Sequence, residues 1–230
     1  MPYFFFDYYY IILVIPAMIL AVWAQVRVKS TYNKFEKVGN TRRITGAYAA
    51  QAVLNHYGIT DVRIEQVSGK LSDHYDPKAK VIRLSTAVYS GYSIAAVGIA
   101  CHEAGHAAQH AENYAPIKIR NSLVPVCNIG SSLGIPLAIL GYFLGFEPLI
   151  SIGLLLYAAI ALFHLVTLPV EFNASRRAIK VIDDTGLLYD DEIGGAKKVL
   201  KAAAMTYVAS MLVALANLLR LVLRFSNRRN

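Results

Sequence analysis

Charge is thin in this sequence, and thinnest on the acidic side: Lys and Arg number 23 and Asp and Glu 15 in 230 residues, a formal net charge of +8. Cysteine is scarcer still. Cys101 and Cys127 form no metal-binding or redox spacing, which excludes a disulfide framework and fits two small buried residues in a reducing compartment. No positive segment precedes the first apolar run and no small-residue cleavage site follows it, so a cleaved signal peptide is not expected. Nor does any aromatic-plus-basic motif accompany the positive charge, which argues against a nucleic-acid partner. What the sequence does hold is apolar: 56% of its residues, with a mean hydropathy of +0.42. These residues are gathered into long blocks flanked by the basic ones, the pattern of an integral membrane protein.

Residues 4–24 are apolar except for Asp7 and long enough to span a bilayer. The aromatic clusters Tyr3-Phe4-Phe5-Phe6 and Tyr8-Tyr9-Tyr10 read as an interfacial belt at one face, and Arg27, Lys29, Lys34 and Lys37 mark the other. Residues 26–120 form a soluble block. In it Thr45 caps a predicted helix that stops at Gly58, and Val62 to Val67 and Lys80 to Ser85 alternate as strands joined through a turn at Asp73-His74-Tyr75-Asp76-Pro77. Ser93 caps a further predicted helix, rich in Ala and Gly, that runs to about Glu112. Residues 123–168 read as a transmembrane hairpin turning at Gly145-Phe146-Glu147-Pro148. Gly130 with Gly134 and Gly141 with Gly145 are small-xxx-small pairs that suit helix packing, with a homo-oligomer contact as the alternative. Residues 169–201 return to the soluble side as helices, and 202–223 is an apolar C-terminal helix whose start is marked by a cap at Asp190.

The expected fold is therefore mainly α and integral to the membrane. It combines an α+β, zincin-like soluble part containing a small sheet with three transmembrane helices, or four if 202–223 also spans. Orientation follows from the cations. Thirteen lie in the first soluble block, six in 170–201 and four at the C-terminus, whereas the N-terminal tail and hairpin loop have none. Both soluble faces should then be cytosolic. A spanning C-terminal block would carry its four cations outward, so that block is expected to lie at the interface or on the soluble part.

His102-Glu103-Ala104-Gly105-His106 carries the chemistry. On a helix the two imidazoles stand one turn apart on one face, spaced to hold a single divalent cation, for which zinc is the usual choice. Glu103 is offset beside the first of them, where it can take a proton from a water on the metal. A catalytic zinc takes three protein ligands and leaves one position open. Two crossings bring the chain back to the side of His102, which makes Glu171 the best-placed third ligand. His110 competes for that place, but it lies roughly 80° around a straight helix from His102. It is read instead, with Ser175 and Arg176, as a residue that supports the ligands. His74 precedes a strand, Lys80 to Ser85, that could form the edge aligning an extended substrate. It is read as a catalytic donor to the oxyanion, with Arg176 and Arg177 as alternatives.

The pentad and its continuation Ala107-Ala108-Gln109-His110, preceded by Asp73-His74-Tyr75-Asp76-Pro77 and Lys80-Val81-Ile82-Arg83-Leu84-Ser85, resemble the bacterial YugP-type neutral zinc metallopeptidases over nearly the whole chain. More distantly the chain is similar to membrane-embedded HtpX-type heat-shock peptidases and CAAX-prenyl endopeptidases, which are gluzincins. In those a Glu after a membrane hairpin is the third zinc ligand, and an Asp four residues later orients a ligand His. The resemblance places the ligand on Glu171 and departs at Ser175, where the Asp would stand. It implies a multi-pass protease of the bacterial inner membrane, one zinc per chain and a site facing the cytosol.

The expected activity is thus a zinc-dependent endopeptidase acting through Glu103. Its partners would be the lipid bilayer and a protein or peptide substrate that is itself membrane-associated, and its setting membrane-protein quality control. The same triad could serve another metal hydrolase. A reading from a different class is a catalytically weak, metal-stabilised membrane scaffold or adaptor. The intact Glu103 favours an enzyme, because a structural site needs no general base.

Overall fold

The computed structural model describes residues 7–226. Tyr3 to Phe6 of the aromatic belt and the tail from Asn227 lie outside the described residues. A π-helical turn at Tyr10–Val14 leads into α1 (Ile15–Phe35), followed by α2 (Gly46–His56), β1 (Arg63–Val67), β2 (His74–Asp76), β3 (Val81–Ser85) and α3 (Thr86–Tyr89). The chain continues through α4 (Ile94–Ala111), α5 (Ala115–Leu144), α6 (Glu147–Asp184) and α7 (Asp190–Ser226). It divides into two compact units. Among the described residues one holds 7–25, 118–168 and 205–226, the other 26–117 and 169–204. The divisions fall where apolar runs give way to polar sequence.

The first unit is helical. Four helices are long and apolar enough to cross a membrane: Tyr10–Phe35, Ala115–Leu144, Glu147–Asp184 and Asp190–Phe225. Large apolar side chains such as Phe143, Leu155, Leu162 and Leu165 stand exposed on them, as lipid-facing residues do. The hairpin between α5 and α6 closes at Gly145, whose φ of +67° is a conformation glycine adopts without strain. Its helices approach closely at small residues: a Cβ on Gly130 would fall 2.5 Å from the Leu156 carbonyl oxygen, and one on Gly141 2.7 Å from the Ile150 nitrogen. These glycines are used in packing within the chain. Asp7 accepts hydrogen bonds from Arg220, whose Nε lies at 3.0 Å, and from Arg224, so the two ends of this unit meet in an ion cluster.

The second unit builds a small sheet against helices. Its strand order is β1-β3-β2, with β1 parallel and β2 antiparallel to β3. Two sequence expectations change here. The turn expected at 73–77 includes a strand, because the turn chemistry sits just beyond it: Asp76 Oδ1 accepts from the amides of Lys78 and Ala79. That turn folds β2 onto β3. The strand over 80–85 is consequently central and offers no edge to a substrate.

The caps at Thr45 and Ser93 are formed, their hydroxyls accepting from Tyr48 N and Ala96 N. Asp190 is instead the first residue of α7. The capping carboxylate belongs to Glu192, which accepts from Tyr189 N and from the amide and hydroxyl of Thr41. The core gathers Val53 and Leu54 of α2, Ile82 and Leu84 of β3, and Ala100, Cys101, Ala104 and Ala108 of α4. Val181 and Ile182 of α6 complete it. Cys101 is free and fully buried, its thiol directed at the Ala49 carbonyl.

Candidate metal centre

The α4 helix owes its position to small residues. Ala104, Gly105, Ala107 and Ala108 are buried, so α4 packs nearly backbone to backbone on α6: a Cβ on Gly105 would lie 2.8 Å from the Ala174 carbonyl oxygen. That closeness brings the motif of one helix to the carboxylate of the other. His102 Nε2 lies 3.2 Å and His106 Nε2 3.6 Å from Glu171 Oε2. One ligand atom from each of the three residues lies within 4.8 Å of the others. Among the described residues these three form the group able to hold a metal ion. Glu171 is 2% exposed and the side chains of His102 and His106 are 14% and 10% exposed, so the carboxylate is buried and the two imidazoles nearly so.

The far nitrogens of both rings are fixed. Ser175 Oγ lies 3.1 Å from His102 Nδ1, so the residue standing where an Asp was expected does reach the imidazole. His106 Nδ1 lies 3.0 Å from Gln109 Oε1. The tautomer of His106 follows from Gln109's other end. Its Nε2 donates to the Val170 carbonyl at 2.8 Å and to Asn173 Oδ1 at 2.9 Å, both of which can only accept. The amide oxygen must then face His106, which donates its Nδ1 proton and keeps a lone pair on Nε2 for a cation. Asn173 is held in turn by Arg177 Nε at 2.7 Å, and Arg177 pairs with Glu112. Burial alone would depress the basicity of His106. The Glu171 and Glu103 charges and the Gln109 bond reverse this and raise its pKa above the ordinary imidazole value.

Gln109 and Asn173 were not singled out by sequence reasoning. Gln109 lies three residues after His106, the helical spacing at which side chains meet, and that is the signal that points to it. The remaining candidates lie elsewhere. His110 is hydrogen-bonded to the Tyr75 hydroxyl, 2.9 Å from its Nδ1, and is outside the three-residue group. Burial, with Asp61 and Asp76 nearby, pushes the Tyr75 hydroxyl up to about 12, so it remains a donor. His74 is exposed on β2. Its Nδ1 donates to the Ser72 carbonyl at 2.8 Å, and Nε2 lies 3.5 Å from Arg83. The ring is outside the three-residue group that could hold a metal. Arg176 is exposed and lines a groove, whereas Arg177 is the arginine tied to the histidine network. Glu103 is half-buried, near enough for its charge to act on His106.

Two imidazoles whose far nitrogens are hydrogen-bonded, and one carboxylate, make a donor set of three that fits a catalytic zinc, which leaves its fourth position to water. Comparison with known proteins points the same way. The family model described as "Putative neutral zinc metallopeptidase" matches residues 10–226. The chain is 46% identical, over 96% of its own length and 98% of the other's, to the "Putative membrane protease YugP" of Bacillus subtilis (strain 168). No solved structure matches it. The chain therefore belongs to the neutral zinc metallopeptidase family.

Proposed function

We propose that this chain is an integral-membrane, zinc-dependent endopeptidase, placed in a bacterial inner membrane with its site on the cytosolic side. The observation that carries the reading is the convergence of His102 Nε2, His106 Nε2 and Glu171 Oε2 beside Glu103. The excess of Lys and Arg in residues 26–120 and 170–201 supports the orientation.

His102, His106 and Glu171 would hold the ion, which supplies Lewis acidity: it lowers the pKa of a water toward neutrality and polarises a carbonyl. Glu103 accepts the proton from that water as it attacks the peptide carbonyl carbon, then delivers the proton to the departing amine nitrogen. Ser175 and Gln109 hold the two imidazoles in orientation, and Gln109 also sets the tautomer of His106. A chain with four helices long and apolar enough to cross a membrane suits a protein or peptide substrate that is itself membrane-associated, the substrate class of membrane-protein quality control.

The test is metal content and peptide hydrolysis measured together on detergent-purified protein. Wild type and Glu103→Gln should each retain about one zinc per chain, and His106→Ala and Glu171→Ala should lose it. Hydrolysis should occur in wild type alone. Zinc retained by Glu171→Ala would remove that residue from the ligand set, and turnover by Glu103→Gln would end its role as base.

A further inference from the structure

Helices α6 and α7 line a groove of about 460 Å³ that meets the metal centre only at Ser175 and whose cations the peptidase chemistry does not use. Its rim is cationic. Arg176 stands on α6, with Lys197 and Lys201 one turn apart on α7, and all three are exposed. Among the described residues none of the three is paired with a carboxylate, although Arg177 and Lys180, on the same helix as Arg176, both are. The floor is apolar, formed by Phe172 and Ile179 of α6 and Leu200 of α7. In sequence Phe172 lies one turn after the apolar run that ends at Leu168, and Lys201 directly precedes the apolar run that starts at Ala202.

We propose that this groove binds the phosphate headgroup of an anionic phospholipid. Three unneutralised cations at the ends of apolar runs match a phosphate at the level where a bilayer presents one, and the apolar floor accepts the glycerol and upper acyl chain. An acidic peptide is matched less well. Ser175 is the one neutral polar side chain in the lining, and its oxygen is engaged by His102, so the groove offers little to the main-chain groups of a peptide. The proposal rests on the membrane placement given above, which alkaline extraction of whole membranes tests separately.

The experiment is native mass spectrometry of the full chain in neutral detergent, titrated with dioleoyl phosphatidylglycerol or dioleoyl phosphatidylcholine. Wild type should bind phosphatidylglycerol in preference. Each of Arg176→Gln, Lys197→Gln and Lys201→Gln should weaken that binding about fivefold. A Lys197→Arg/Lys201→Arg double variant should retain it, and Lys78→Gln, at an exposed cation away from the groove, should change nothing. Equal binding of the two lipids, or undiminished phosphatidylglycerol binding in the triple Gln variant, overturns the proposal. So does displacement of the lipid by millimolar inorganic phosphate, which would make the groove a site for the free anion. An acidic peptide whose binding falls in the triple variant while lipid binding does not would assign the groove to a peptide.

Discussion

Ser175 and Gln109 do comparable work on the two imidazoles by different chemistry, and their substitutions should separate. A serine hydroxyl is a neutral hydrogen-bond partner for His102 Nδ1, weaker than the carboxylate that resembling peptidases place there. Ser175→Ala should therefore weaken zinc binding by about tenfold in chelator competition, and Ser175→Asp should restore or strengthen it. Gln109 is fully buried and donates to two acceptors while accepting from His106. Gln109→Glu keeps the acceptor but turns a carboxylate oxygen toward the Val170 carbonyl and Asn173 Oδ1. It should bind zinc less tightly than wild type by about 10- to 100-fold, and melt at lower temperature, despite its near-identical shape. A Gln109→Glu protein that binds zinc as wild type does would refute the tautomer assigned to His106. The pentad was legible as a local motif, Glu171 from the two crossings that return the chain to the side of His102, and Ser175 from its interval after Glu171 in the resembling peptidases. The partnership of Gln109 with Val170 and Asn173 was not, since it depends on how closely two distant segments pack.

That closeness is set at the level of the helix pair. Gly105 and Gly98 lie on the same helix seven residues apart, and both were read only as part of an Ala/Gly-rich face. The structure distinguishes them. A methyl at Gly105 would meet the Ala174 carbonyl at 2.8 Å, whereas one at Gly98 meets Ala196 Cβ at 3.4 Å, an ordinary contact. Gly105→Ala must push α4 from α6, at a cost of about 1–3 kcal/mol, and should lower both thermal stability and zinc affinity. Gly98→Ala should leave zinc affinity unchanged and gain up to about 1 kcal/mol from helix propensity. Thermal melts of the two variants with and without chelator check both statements. The sheet teaches the same lesson. Alternation identified β1 and β3, but nothing in a run of residues says which strand lies in the middle, so the substrate edge assigned to residues 80–85 was misplaced.

At the scale of the molecule the open question was the last apolar block, judged from its cations to rest at the interface. That argument counted Arg220 and Arg224 as free charges to be carried across a bilayer. Both are instead paired with Asp7, the one charge in the first apolar run, and Arg220 also lies 4.9 Å from the Tyr10 ring. Side chains of the cluster are only 12–17% exposed, so the charges are taken from water together. Removing one partner from such a cluster costs far more than removing all of it. Asp7→Ala should lower the melting temperature in detergent by an amount corresponding to about 3–5 kcal/mol, and Asp7→Ala with Arg220→Met and Arg224→Met should recover most of the loss. The pairing also bears on topology. With Asp7 balancing one of its four positive charges, the C-terminal block opposes the charge rule less strongly, and Asp190–Phe225 is long enough to cross. Four spans return the C-terminus to the side on which the chain began. Reporter fusions that are active only outside the cytosol should then be active at both ends. A C-terminal fusion active only in the cytosol would put α7 on the membrane surface and leave three spans, and the Asp7 variant would then be expected to melt as wild type does.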